Sequence, residues 1–380
     1  MKTSMAELEP MKTDLPPDIV FSNILPRLPA KSISCFKCVS KKWNSFLRTP
    51  DFLQMHHHHV INGDCQNHKL LFLPTAQPWE FRTVDCETPQ DGLTARRPFP
   101  FEIGPGQKIK ILTSLHGMVC VGIMKRRPNH NEYSHIILWN PMTIDYKILS
   151  KAGSPAARYR HYCFLTFELY FSSSENDYKL VCLIADFTNK NNYVYIYSLK
   201  SDSWRKVDSP GGCSNPVLHK LMSSVYSNEK FHFLRELFEF EGDFTAEKSR
   251  DIATPLLAKE TTDFMGFMVV KGCIHFCVAI LNSIGEYGQI EFWRKDENGS
   301  WEVVTSSRSP NYIYKHVQYH SRPLHMMRNG NWLMYSSHNE YVYTVDTKKQ
   351  AQKIMCSINY VFRPKGKYME TLVSPNQYIK

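Results

Sequence analysis

The sequence predicts a small all-α unit of three short helices, followed by an all-β domain built as a β-propeller of six or seven blades. Three observations carry this expectation. Apolar residues recur at helical spacing across residues 14–54 and nowhere so regularly afterwards. From about residue 60 the period shortens to alternation, in short runs rich in Val, Ile, Tyr, Phe and Trp. A strand–turn–strand unit then returns roughly every 40–60 residues, the spacing of a four-stranded blade.

Residues 1–13 are polar and read as a flexible N-terminus. Leu15, Ile19, Ile24, Leu25 and Leu28 follow at spacings of three to five, which places most of them on one side of a helix. Pro16 and Pro17 open that helix, where a missing N–H costs little. Pro26 and Pro29 close it. Ile33, Phe36 and Val39 form a second apolar set, and Trp43, Phe46 and Leu47 a third. Ser40 reads as the N-cap of a helix over Lys41–Arg48, and Thr49-Pro50 as its stop. A core of about forty residues is thin, so this unit needs a partner surface to cover its remaining apolar side chains.

The strand runs are Lys69–Leu73, Ile109–Leu112, Met118–Val121, His135–Trp139, Lys179–Ile184, Tyr193–Tyr197, Phe231–Leu234, Phe267–Val270, Ile274–Ile280, Gln289–Trp293, Trp332–Tyr335 and Tyr341–Val345. Five copies of the repeat are visible, at Ile137–Ile148, Tyr195–Val207, Phe238–Ile252, Ile290–Val303 and Val342–Ile354. Phe81–Asp85 is a degraded sixth. Radial repetition of small sheets solves the edge problem of an all-β chain. The competing arrangement, an irregular pair of β-sandwiches, leaves the repeat unexplained.

Composition narrows the function classes. Hydrophobic residues make up 42% of the 380, enough for a substantial core. The charge of +10 comes from 46 basic and 36 acidic residues spread along the chain, which favours acidic partner surfaces over nucleic acid. The first ten residues hold no apolar stretch resembling a signal peptide, and no run is long enough to span a membrane. Eleven scattered cysteines then read as reduced thiols of a cytoplasmic or nuclear protein.

Within residues 14–54, Leu15-Pro16, Asp18-Ile19, Ile24-Leu25, Arg27-Leu28-Pro29, Lys31-Ser32, the run Cys38-Val-Ser-Lys-Lys-Trp43 and the closing Thr49-Pro-Asp-Phe52 together resemble the plant F-box. Weaker landmarks follow. Ser114–Cys120, Leu138-Trp-Asn-Pro141, Asp177–Val181 and Tyr368–Pro375 are similar to signatures of the plant F-box-associated domain, a kelch-like propeller. The resemblance implies an F-box over 14–54, an F-box-associated domain over 55–375 and a tail over 376–380. Three departures stand out. Asp18–Leu28 is one residue longer than the usual pattern, with the extra residue near Phe21. Pro26 occupies a place usually held by a small or helix-forming residue. Ser34-Cys35 replaces a commoner Leu-Arg pair.

The resemblance implies a substrate-recognition subunit of a cullin-RING ubiquitin ligase. The F-box would bind a Skp-type adaptor, and through it cullin and RING subunits, while the β domain holds an unknown protein substrate. No catalysis or cofactor is implied, because rate comes from proximity. The expected adaptor contacts are Leu15, Pro16, Ile19, Ile24, Leu25, Leu28 and Pro29, with Val39 and Trp43 supporting them; Trp43 and Phe36 are weighted towards core. A non-degradative adaptor role and a propeller enzyme of glycosidase or oxidase type are the alternatives. His56–His59 reads as a solvated helix end or turn. Cys35-x-x-Cys38 reads as small buried residues, and Cys273, His275 and Cys277 lack a fourth zinc ligand. Lys125-Arg-Arg127 and Arg158-Tyr-Arg160 read as solvated loops.

Overall fold

The first helix begins where proline is tolerated. A computed structural model describes residues 15–63, 67–74, 76–126, 131–151, 154–155, 163–186, 191–207, 223–227, 230–235, 238–242, 250–253, 262–270, 272–281, 287–296, 299–308, 321–336, 341–346, 348, 351–357 and 362–377. Residues 1–14, Arg127, the Arg158–Arg160 pair and the last three residues of the expected tail lie outside them. Contacts divide the chain into two units, Met1–Gln66 and Asn67–Lys380.

In the first unit, Pro17 opens α1 (Pro17–Ile19), and the Pro16 carbonyl accepts from the Ile19 and Val20 N–H groups. The helix then changes type. Val20–Ile24 is a π turn, with Leu25 N–H bonded to the Val20 carbonyl, and Leu25–Arg27 is a 3₁₀ turn. The π turn includes Phe21, the place where the F-box resemblance implies one residue more than the usual pattern. A wider i→i+5 turn absorbs an extra residue without breaking the backbone ladder. The tight turn after it accommodates Pro26, which is buried.

Helices α2 (Ala30–Phe36) and α3 (Lys41–Phe46) follow. Ser40 caps α3, its hydroxyl accepting from Trp43 N–H at 3.1 Å. One expectation needs correction here. Thr49-Pro50 follows the end of α3 but also starts a fourth helix, α4 (Pro50–Asn62). The Thr49 hydroxyl accepts from Phe52 N–H at 3.3 Å, and Pro50 takes the first helical position, where its fixed φ is already helical. The helix therefore crosses the expected boundary at 54/55, and the unit ends near residue 66. The core of this unit holds Leu25, Ala30, Ile33, Leu47 and Phe52. An aromatic chain runs through it: Phe21 lies 5.4 Å from Trp43 and 4.7 Å from Phe46, and Phe46 lies 5.4 Å from Phe52.

The second unit is all-β. Strands β1 (His68–Pro74), β2 (Glu80–Asp85) and β3 (Arg97–Pro98) come first. The next sheet is β4 (Gln107–Leu115), β5 (Met118–Arg126), β6 (Asn131–Trp139) and β7 (Tyr146–Ile148). Then come β8 (Cys163–Ser172), β9 (Asp177–Asp186), β10 (Asn191–Ser198) and β11 (Ser203–Val207). The following four are β12 (Ser223–Ser227), β13 (Lys230–Arg235), β14 (Phe238–Gly242) and β15 (Arg250–Ala253). After them stand β16 (Thr262–Val270), β17 (Cys273–Leu281), β18 (Tyr287–Lys295) and β19 (Trp301–Arg308). The last are β20 (Ser321–Met326), β21 (Trp332–Ser336), β22 (Tyr341–Asp346), β23 (Ala351–Ser357) and β24 (Phe362–Met369).

These strands form a β-propeller. Against the expectation of six or seven blades, five are made of four consecutive strands, β4–β7 through β20–β23. The remaining sheet is composite, in the order β24-β1-β2-β3, and joins the end of the domain to its beginning. The first strands of successive sheets adjoin one another: β24 with β4, β4 with β8, β8 with β12, β12 with β16, and β16 with β20. Each repeat seen in the sequence is a hairpin of the third and fourth strands of one sheet, such as β6–β7, β10–β11 and β18–β19. Phe81–Asp85 looks degraded because its partner, β3, is only two residues long.

Sheets pack face to face through apolar layers. Leu71, Phe81 and Tyr368 of the composite sheet meet Ile111, Val121 and Trp139 of the next. On the other side Leu70 and Phe72 meet Leu333, Tyr335 and Val342. A polar clasp supplements that second contact. The Glu87 carboxylate accepts from Arg328 N–H at 3.0 Å and from the His325 ring at 3.2 Å. Burial pushes His325 down to about 2, so the ring is neutral and its Nε2–H donates.

Candidate docking surface

The helical unit leaves apolar side chains uncovered. Of the nine large apolar side chains exposed among the described residues, four lie in this unit of fewer than fifty described residues: Leu15, Ile19, Ile24 and Val39. Leu15 is 58% exposed and Val39 60%, values that a core residue does not reach. Leu15 precedes the first helix, whose last residue is Ile19. In a plain α-helix Ile24 would then diverge from Ile19 by about 140°. The π turn brings the fifth residue back towards the same azimuth.

The other expected contacts fall elsewhere. Pro16 and Pro29 are exposed and flank helix starts, and Leu28 is half-buried. Leu25 is only 2% exposed, so its side chain supports the patch from inside and presents nothing to a partner. Trp43 is half-buried between Phe21 and Phe36, 5.4 and 5.7 Å away. Residues 15–62 carry Arg27, Lys31, Lys37, Lys41, Lys42 and Arg48 against Asp18 and Asp51. The positive charge is denser here than along the rest of the chain.

Sequence reasoning misses His56. The residue is fully buried in α4, and its Nε2 donates to the Leu28 carbonyl at 3.0 Å, tying α4 to the end of the first helix. A signal is present: Phe52 and His56 are four apart, on one face of a helix that Thr49-Pro50 announces. Burial lowers the His56 pKa to about 4. The unfolded chain, titrating near 6.5, binds the proton first, so stability is lost as pH falls from about 6.5 to about 4. Full expression of that shift is worth about 3 kcal/mol. Amide hydrogen exchange across Pro50–Asn62 should show an acid-labile loss of protection in this window that His56→Phe, which cannot titrate, flattens. An unchanged pH profile in that variant would exclude His56 as its source.

The cysteine and histidine clusters also resolve. Cys35 and Cys38 are both exposed, contrary to the expectation of burial, because α2 turns its Ile33 and Ala30 side inward. Cys277 is buried, and the His275 Nδ1–H donates to the Cys273 carbonyl at 3.1 Å. Among the described residues no group of three His, Cys, Asp or Glu could hold a metal ion, and no helix is long and apolar enough to cross a membrane.

In the β unit the four landmark motifs converge on one buried knot. Asn140 Nδ2 donates to the Thr371 and Val373 carbonyls at 3.0 and 2.6 Å, while its Oδ1 accepts from the Met142 and Thr143 N–H groups at 2.8 and 3.4 Å. The Thr371 hydroxyl donates to the His116 carbonyl at 2.9 Å, and the His116 ring meets the Tyr178 hydroxyl at 3.1 Å. Asp177 accepts from the Ser198 hydroxyl at 2.6 Å and from Lys200 N–H at 3.0 Å. These motifs hold the ring together, since Asn140 and Thr371 are inaccessible to any partner. A separate open cavity of about 520 Å³ is lined by Gln77, Pro78, Trp79, Pro98, Phe99, Phe101 and Ile103. Phe99 and Phe101 continue inward to Trp139, at 5.1 and 6.1 Å.

Comparison with known proteins agrees with both units. Residues 13–55 match the F-box domain family, and residues 108–374 match the F-box associated beta propeller domain family. Similar Arabidopsis thaliana proteins include F-box protein At2g21930, 24% identical over 66% of this chain and 67% of its own length. F-box/kelch-repeat protein At3g23880 is 22% identical over 73% of this chain and 77% of its own. F-box protein DOR is 28% identical over 54% of this chain and 51% of its own. The chain thus spans about half to three quarters of the length of these curated relatives. A solved propeller, that of Dos1, aligns with 78% of this chain and 73% of its own at 10% identity and a TM-score of 0.35. An F-box unit of short helices joined to a propeller matched over most of its length makes this chain a plant F-box protein of the F-box-associated β-propeller family.

Proposed function

We propose that the chain is the substrate-recognition subunit of a cullin-RING ubiquitin ligase, its F-box docking on a Skp-type adaptor and its propeller holding the protein to be ubiquitinated. The observation that carries this reading is the uncovered set of Leu15, Ile19, Ile24 and Val39 on a unit matched to the F-box domain. Covering four half-exposed apolar side chains is worth about 3–5 kcal/mol at about 25 cal/mol per Å². The net positive charge of residues 15–62 adds attraction for an acidic adaptor face, so affinity should fall with salt. Nothing in this role needs chemistry from the chain itself: cullin and RING subunits bring the conjugating enzyme, and the propeller raises the local concentration of the target.

Co-purification with a recombinant Skp-type adaptor tests the reading. The wild-type chain should retain adaptor, and Leu15→Ala/Pro16→Ala should weaken binding by about ten- to a hundredfold, as loss of a central anchor does. Leu25→Ala should instead lower the stability of the unit. A wild-type chain that retains no adaptor overturns the proposal. Retention without any protein accumulating on loss of the chain would favour the non-degradative role.

A further inference from the structure

Cys35 and Cys38 differ from every other described thiol. Of the seven cysteines whose side chains are described, four are buried, Cys273 is half-buried, and only this pair is exposed. Burial raises the pKa of Cys86 to about 12 and pushes Cys120, Cys182 and Cys277 up as well, which holds them as inert thiols. Among these seven, an oxidant in solution therefore meets the pair first.

The backbone also suits a bridge between them. Cys38 N–H donates to the Cys35 carbonyl at 3.0 Å, an i→i+3 bond that tightens the chain as α2 ends. In such a turn side chains three apart eclipse, and three residues rise about 6 Å. Disulfides span about 4.4–6.8 Å between Cα atoms. Val39, the most exposed apolar residue of the patch, follows directly, its own N–H bonded to the Phe36 carbonyl at 3.1 Å. A bridge across this turn would stand directly beside Val39.

We propose that Cys35 and Cys38 are a modification site, closing to an intramolecular disulfide on reaction with a hydroperoxide, and that closure loosens adaptor docking by displacing Val39. The docking half rests on the proposed function; the chemistry does not. One thiolate attacks the peroxide oxygen, the O–O bond breaks, and a sulfenic acid and one water (or alcohol) result. The second thiol attacks the sulfenic sulfur and expels a second water as the S–S bond forms. Two thiols are oxidised by two electrons, and one hydroperoxide is reduced.

Two readouts test it on the full chain. After hydrogen peroxide, thiols are blocked under native conditions and peptides are mapped by mass spectrometry. The peptide holding both residues should be two hydrogens lighter and should regain them with dithiothreitol, and Cys35→Ser should abolish the change. Recovery of both cysteines as blocked thiols, or bridging of either to another cysteine, overturns the site. In the second readout, adaptor affinity should fall at least tenfold on oxidation and return with dithiothreitol, while Cys35→Ser/Cys38→Ser should not respond. A bridge that forms without changing affinity overturns the coupling. Failure of the reduced chain to bind adaptor at all condemns the docking reading and leaves the bridge to the mass measurement.

Discussion

Replacing Gly117 by alanine is expected to cost the propeller about 3–5 kcal/mol. Gly117 and His116 form the two-residue turn between β4 and β5, both with positive φ, at 89° and 50°. For an L-residue the left-handed region costs about 1–2 kcal/mol. Steric crowding costs more. A Cβ on Gly117 would stand 2.0 Å from Thr371 Oγ1 and 2.9 Å from the Met369 carbonyl oxygen. The carbonyl belongs to β24 and cannot yield without disturbing its pairing with β1, and overpacking of this kind costs about 1–3 kcal/mol. Displacing Thr371 also breaks its bond to the His116 carbonyl. Urea unfolding of the full chain measures the loss. A Gly117→Ala/Thr371→Gly double variant should be more stable than the two single losses added together, because removing Thr371 relieves the closest contact. A loss below about 1 kcal/mol in Gly117→Ala would mean that β24 does not approach the turn so closely.

The second large effect is expected at Asn140. Its amide satisfies two carbonyls and two backbone N–H groups in a site without water access. Asn140→Leu fills a similar volume and leaves all four groups without that partner. Unsatisfied buried groups cost about 1–3 kcal/mol each, so relaxation notwithstanding, a loss of about 4 kcal/mol or more is expected. Asn140→Asp separates donor from acceptor. It keeps an oxygen for Met142 and Thr143 but turns the other against two carbonyls, which favours the protonated acid. With its folded pKa raised, the variant keeps this stability at pH below about 4 and loses it as pH rises. The gap between wild type and Asn140→Asp should therefore widen from acid to neutral pH. A gap independent of pH would show that the amide's donors do not carry the knot.

These two positions show what is legible in the sequence and what is not. Leu138-Trp-Asn-Pro141 and Tyr368–Pro375 are recognisable as motifs, yet nothing local says that Asn140 reaches Thr371, more than two hundred residues away. The third-and-fourth-strand hairpins are legible because alternation and a polar turn are local signals. Edge strands such as Ser203–Val207 are legible only as the second arm of such a hairpin, since short, charged strands lack an apolar face of their own. In the F-box, Ser40 announces its cap correctly. Pro50 reads as an ending because proline stops a helix and starts one with equal ease, and only Thr49 decides between them. The length of Asp18–Leu28 is countable in the sequence, but whether the helix there bulges, kinks or widens depends on packing against Trp43 and Phe46.

The composite sheet has a consequence in time. β1 pairs with β24, so Lys69–Leu73 leaves the ribosome roughly 290 residues before its inner neighbour. At about 5–20 residues per second, that interval lasts about 15–60 s. Throughout it, a strand reading Lys-Leu-Leu-Phe-Leu offers a bare edge, the kind of surface that seeds intermolecular pairing. Synthesis of this protein therefore has a built-in waiting period during which that edge stays uncovered. A stop codon anywhere before Phe362 would make the wait permanent and leave that edge bare.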